Sequence, residues 1–218
     1  NPAPADMALV PGGKFTMGTD DDGEQAERPA HAVTLKSFWL DKLEVTNGAY
    51  LECVNAKVCR PWKDDVAKAM HYGDEKLFRG AKQPVVGVSW EDGKTYCEWR
   101  SKRLPTEAEW ERAARGEDNR KYPWGNEAPD AKRHGCFQGC QSGATAVDGS
   151  FPDGAGPYGH QDMAGSVWEW VADGGEGDQR IMPGGGHAAK PVALRTTKRV
   201  LREPKGWENV GFRCARSR

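Results

Sequence analysis

At 218 residues the chain is long enough to bury one sizeable core, and one domain over residues 1–218 is expected. Its 31 Lys and Arg against 32 Asp and Glu leave a net charge of -1 and a pI near 6.6, which excludes the domain-wide basic field that attracts nucleic acid or an anionic membrane. Hydrophobic residues are 37% and mean hydropathy is -0.79, but nine Trp can anchor a core in so polar a chain, and 27 Gly with 14 Pro exclude a simple helical bundle.

In chain order, Met7-Ala8-Leu9-Val10 reads as a strand, Pro11-Gly12-Gly13 as a turn, and Lys14 to Gly18 as a second strand. Asp20 to Arg28 is an acidic loop; Asp20, Asp21, Asp22 and Glu24 there suit a solvated surface better than a cation site. Val33, Leu35 and Phe38-Trp39-Leu40 resume the alternation of strands. Thr46 is an N-cap before Tyr50, Leu51 and Val54 at helical spacing. Arg60 to Gln83 is polar and suggests no element. Pro84 to Val88 reads as a short buried strand, and Ser89 caps a helix running to about Ser101. Thr106-Glu107-Ala108-Glu109 is a capping box opening a helix that ends near Gly116. Tyr122 to Asp162 is a long loop that needs a fastener, and Val210 to Cys214 is a last strand. No apolar run approaches the roughly 20 residues that span a bilayer.

Six Cys allow many pairings. Cys53 with Cys59 and Cys136 with Cys140 are most simply local staples, leaving Cys97 to join Cys214; the spacings do not match paired Cys-x2-Cys zinc motifs. Disulfides imply an oxidising compartment, hence an exported chain, periplasmic or extracellular.

An ordered set of segments resembles the formylglycine-generating (sulfatase-modifying) enzyme family. It comprises Pro11 to Gly18, Glu44-Val45-Thr46-Asn47, Pro84 to Trp90, Tyr96-Cys97-Glu98-Trp99, Arg103 to Glu111, Tyr122-Pro123-Trp124-Gly125, Asp162 to Trp170 and Gly211 to Ala215. The resemblance implies a mixed α+β fold related to C-type lectins, with little regular secondary structure, and supports the Cys97–Cys214 bridge. It also implies an active centre in which two thiolates, five residues apart after a Gly-Gly-Ser segment, hold Cu(I). The matching stretch here is Gly184 to Leu194, with Gly186 at the serine position and the thiolate positions near Ala189 and Leu194. No Cys lies between Cys140 and Cys214, and side chains without sulfur do not replace soft Cu(I) ligands, so formylglycine chemistry and copper are not expected.

The resemblance further implies a structural calcium site made by Asp162, the carbonyls of Gly165 and Val167, and Glu169, a hard-oxygen set of the kind Ca²⁺ takes. The alternative is that the two carboxylates cap turns without metal. A second family calcium site would fall between Cys136 and Val147, where the local disulfide is expected to replace the ion. Trp168, His187, Arg195, Arg199 and Trp207 are the candidate ligand cleft, whose bland counterparts are a surface loop histidine and a solvated basic run of Arg195, Lys198, Arg199 and Arg202. His31, His71, His134 and His160 have no spacing that suggests a metal cluster.

Three functions are compatible with this reading. The first is a non-catalytic module binding a protein, peptide or glycan. The second is an envelope assembly component using another surface. The third is an oxidoreductase whose chemistry does not use the thiolate pair.

Overall fold

The computed structural model describes residues 4–21, 23–61, 75–138, 140, 145–175 and 177–218. Asp22, His71, much of the 60–83 stretch and part of the 136–147 stretch lie outside the described residues. The structure is mixed α+β, with three α-helices and short strands in small sheets among the described residues.

Strands β1 (Met7–Val10) and β4 (Phe38–Asp41) pair antiparallel, and β4 pairs in turn with the C-terminal β9 (Ala215–Ser217). Both ends of the chain are therefore tied into one sheet. Strands β2 (Gly13–Met17) and β3 (His31–Leu35) form an antiparallel ribbon. Two further pairs carry the functional half: parallel β5 (Trp168–Glu169) with β8 (Val210–Gly211), and antiparallel β6 (Arg180–Pro183) with β7 (Arg199–Arg202).

The helices begin where side chains satisfy their first N–H groups. Helix α1 (Asn47–Asn55) starts at Thr46, whose hydroxyl accepts from the Ala49 N–H at 3.2 Å. Helix α2 (Trp90–Trp99) opens on a capping box of Ser89 and Asp92, and α3 (Glu107–Arg115) on one of Thr106 and Glu109. Each such cap stabilises its helix by about 1 kcal/mol.

Two elements differ from expectation. Pro84 to Val88 is buried but is not a strand; it contributes one bridge, Thr46 to Pro84. Pro84 has no N–H, and Gly87 turns the chain at φ +80°, so the N–H groups of Val85 and Gly87 reach the carbonyls of Val45 and Trp207 instead of a ladder. Of the expected strand from Val210 to Cys214 only Val210–Gly211 is a strand (β8), and β9 begins after it at Ala215, because Arg213 turns inward and the Cys214 N–H donates to Asp41 Oδ2 at 2.9 Å. The β6–β7 ribbon, which no sequence signal announced, is the main addition.

One core cluster joins Tyr50, Tyr96, Leu104, Trp170 and Phe212 to Cys53, Cys59, Cys97 and Cys214. A second gathers Val10, Phe38, Leu40, Trp110, Met163 and Val171 around α3. All three disulfides are formed as paired above. Cys97–Cys214 closes a separation of 117 residues, for which the chain-entropy account gives about 5 kcal/mol of stabilisation.

Candidate functional site

The Gly184 to Leu194 loop is where the family resemblance puts the thiolates. Gly184 and Gly185 take φ of +102° and +77°, which lets the chain fold back on itself. A methyl group on Gly185 would lie 3.0 Å from Leu194 Cδ2 and 3.5 Å from Ala189 Cβ. Ala189 and Leu194 thus both lie beside Gly185, where they present a methyl and an isobutyl group. Leu194 is buried with Tyr122, Phe137 and Ala164, and Ala189 packs on the same cluster. The Cys136–Cys140 loop seals it: Phe137 enters the cluster and the Gln138 N–H donates to the Ala189 carbonyl at 3.1 Å. No cysteine is free, so no thiolate is available anywhere in the chain.

The five residues of the expected cleft do not come together. Trp168 and Trp207 do: with Met182, Val200, Arg202 and Asn209 they line a pocket of about 230 Å³. His187 is buried, its ring edge-on to Phe78 at 5.2 Å, and burial pulls its pKa below the usual histidine value. It is therefore not a surface loop histidine, and it does not line that pocket. Arg195 is buried in a two-pronged ion pair with Glu27, which also accepts from the Thr197 hydroxyl, and it lines a separate polar cavity of about 410 Å³. Arg199 is held by Glu107 at 2.6 Å and Glu111 at 3.1 Å. These guanidinium groups are neutralised within the fold, because a cation under a loop is stable only beside a carboxylate. Of the basic run, Arg202 alone reaches the pocket.

Around Asp162 the backbone is strained: Asp162 and Ser166, neither of them glycine, have φ of +55° and +56°. Asp162 Oδ2 accepts the Gly149 N–H at 2.7 Å. Glu169 is committed elsewhere. Its two oxygens take Arg213 Nε and Nη2, each at 2.8 Å, and Oε2 also accepts the Trp110 indole N–H at 2.9 Å. Two residues that the sequence reading did not single out join Asp162. Glu44 accepts from the Ser166 hydroxyl at 3.0 Å, and Asp148 lies beside it. Burial, then the charges of Asp148, Asp162 and Glu169, raise the Glu44 pKa well above the carboxylate range. Burial and Asp162 push Asp148 up to about 8. Among the described residues no N–H or hydroxyl group donates to either Asp148 oxygen, and Glu44 is its side-chain hydrogen-bond partner. A shared proton or a hard cation relieves such an arrangement. Among the described residues, however, no group of three or more His, Cys, Asp or Glu side chains is arranged as a metal site. The signal for Arg213 was an arginine between the core residues Phe212 and Cys214, which requires a buried carboxylate.

The ordered motifs, the apolar pair in the thiolate positions and the three disulfides now stand beside known proteins. The family described as the sulfatase-modifying factor enzyme 1-like domain matches residues 1–218. The chain belongs to that family. It is similar to a Bos taurus protein named inactive C-alpha-formylglycine-generating enzyme 2, at 34% identity over 264 aligned positions, covering 96% of this chain and 87% of the relative. It is also similar to the Mus musculus formylglycine-generating enzyme, at 31% identity, covering 96% of this chain and 74% of the enzyme. Among solved structures, PvdO from Pseudomonas aeruginosa superposes with a TM-score of 0.80 at 30% identity, over 97% of this chain and 94% of PvdO. Family membership accounts for the mixed α+β fold with little regular structure. Among the described residues no helix is long and apolar enough to cross a membrane.

Proposed function

We propose that this chain is an exported, non-catalytic member of the sulfatase-modifying factor family, a binding module whose ligand seat is the Trp168–Trp207 pocket. The apolar Ala189 and Leu194, both beside Gly185 and packed in one cluster at the positions where the family resemblance puts the thiolates, support the reading. A family scaffold without its chemistry still presents its surface, since fold and activity separate readily. Three disulfides fit an oxidising compartment. The pocket supports the seat, with two indoles, one amide, one guanidinium and one carboxylate beside the apolar side chains of Met182, Val200 and Val210. The His187 version of an oxidoreductase loses its support, because that ring is buried against Phe78.

The test has two arms. A cysteine peptide of the sulfatase type, incubated with the domain, Cu(I) and oxygen, is followed by mass spectrometry; formylglycine product would overturn the non-catalytic reading. Capture from the envelope fraction of the source cells is compared between the domain and its Trp207→Ala variant. One species held stoichiometrically by the first and lost by the second supports the pocket, and equal capture by both moves function to another surface.

A structural calcium ion at Asp162 is part of the same proposal, with the carbonyls of Gly165 and Val167. Glu44 and Asp148 are better placed than Glu169 to supply the negative charge, since Arg213 already holds Glu169. The ion's role would be to pin the loops that meet at Asp162.

A further inference from the structure

The β6–β7 ribbon sets two arginines face to face. In its register Arg180 is opposite Arg202, and Met182 is opposite Val200. Alternate residues of a strand share a face, so Arg180, Met182, Val200 and Arg202 point the same way. Three of these four line the Trp168–Trp207 pocket, and Arg180 extends the same face beyond its rim.

Like charges directly opposite on a ribbon are destabilising. Elsewhere in this fold guanidinium groups are neutralised: Arg195 by Glu27, Arg199 by Glu107 and Glu111, Arg213 by Glu169. Among the described residues Arg180 and Arg202 have no carboxylate within ion-pair distance, and each lies over an indole instead. Arg180 is 4.5 Å from the Trp90 ring and Arg202 is 5.6 Å from that of Trp207. Lys205 also stands over the Trp207 ring at 4.8 Å and pairs with exposed Glu203 at 2.8 Å. The aromatic faces place the two guanidinium groups; Arg180 Nη1 also donates to the Gln179 carbonyl at 3.1 Å and its Nε is buried, which leaves Nη2 as its group for a carboxylate oxygen.

The indole of Trp168 differs from its neighbours. The indole N–H groups of Trp90, Trp170 and Trp207 donate to the carbonyls of Val171, Val88 and Glu203. That of Trp168 has no acceptor among the described residues, and its side chain lines the pocket. At about 230 Å³ the space is below the usual small-molecule range and matches one apolar side chain. Glu208 is the one carboxylate in the described lining, against the cationic ribbon beside it.

We propose that this face docks an acidic peptide segment of a partner protein, with one apolar side chain entering the Trp168–Trp207 pocket and its carboxylates bridging Arg180 and Arg202. The inference rests on the pocket being a ligand site and names the chemistry that it selects. A bridging carboxylate removes the repulsion between the two arginines, so the cost carried by the free ribbon is relieved only in the complex.

A displayed random heptapeptide library is panned on the intact domain, and on Arg180→Gln/Arg202→Gln, Arg202→Glu and Trp207→Ala variants whose folding is checked by near-ultraviolet circular dichroism. The expected pool on the parent is rich in Asp and Glu around one apolar residue. Synthetic peptides from it should bind about tenfold more weakly to the double Gln variant and progressively more weakly as salt is raised. On Arg202→Glu the acidic preference should vanish. A neutral or basic pool that is lost with Trp207→Ala overturns the acidic partner and leaves the pocket as a ligand site. Acidic peptides that bind the double Gln variant as well as the parent overturn the role of the arginine pair. No enrichment on the parent overturns this proposal together with the peptide reading of the pocket.

Discussion

Arg213 and Glu169 form a two-pronged ion pair in which neither side chain is exposed to solvent. Arg213 also donates to the carbonyls of Asp41, Lys42 and Gln161, so one guanidinium fastens β4 and the Asp162 loop to β5. Removing one partner of a buried pair leaves a charge without compensation, which costs about 3–5 kcal/mol. Arg213→Ala should lose about that much in urea unfolding. Arg213→Lys should rescue little, because an ammonium cannot reproduce the fork. A loss below 1 kcal/mol for the alanine variant would show that the pair does not fasten the fold.

Ala189 and Leu194 both lie beside Gly185, so restoring sulfur there tests why metal chemistry is not expected. The Ala189→Cys/Leu194→Cys double variant should withdraw Cu(I) from a chromophoric chelator under reducing conditions, and the parent should not. Leu194→Ala, which empties a buried site, should destabilise the fold by about 2–5 kcal/mol.

Calcium should raise the melting temperature. At a hundredfold excess over its Kd a bound ion adds about 2.7 kcal/mol, or roughly 5–10 °C for a domain of this size. Differential scanning fluorimetry with calcium and with chelator should show this shift for the parent, and should show it abolished in Asp148→Asn and Asp162→Asn. Coincident melts for the parent would remove calcium from the account.

His160 is fully buried, and burial, followed by the Arg213 charge, pulls its pKa down to about 3. The unfolded chain takes up this proton near pH 6.5 while the folded chain refuses it until about pH 3. The contribution of His160 to stability is therefore intact above pH 6.5 and falls as pH drops toward 3, by up to about 1.4 kcal/mol per pH unit, against the opposite slope from the raised carboxylates Glu44 and Asp148. His187, also lowered by burial, adds in the same direction. Urea titrations between pH 7 and 4 should show the slope, and His160→Gln should flatten it. An unchanged slope would mean that other groups govern the acid limb.

The sequence by itself determined what depends on neighbours along the chain or on residue identity. The caps at Thr46, Ser89 and Thr106 were legible because each acts within three residues. The two short staples close loops of a few residues, and the missing thiolates needed only a search for cysteine. Tertiary structure decided everything that required distant segments to meet. Whether an arginine is a ligand contact or a buried counter-ion depends on which carboxylate folds against it, and Glu27 lies 168 residues from Arg195. Glu44 reaches Ser166 across 122 residues, which no local pattern encodes. The Arg180–Arg202 pair exists only because β6 and β7 take their register in the folded chain. Local caps follow from short-range hydrogen bonds, whereas burial and charge pairing are set by the packing of the whole fold.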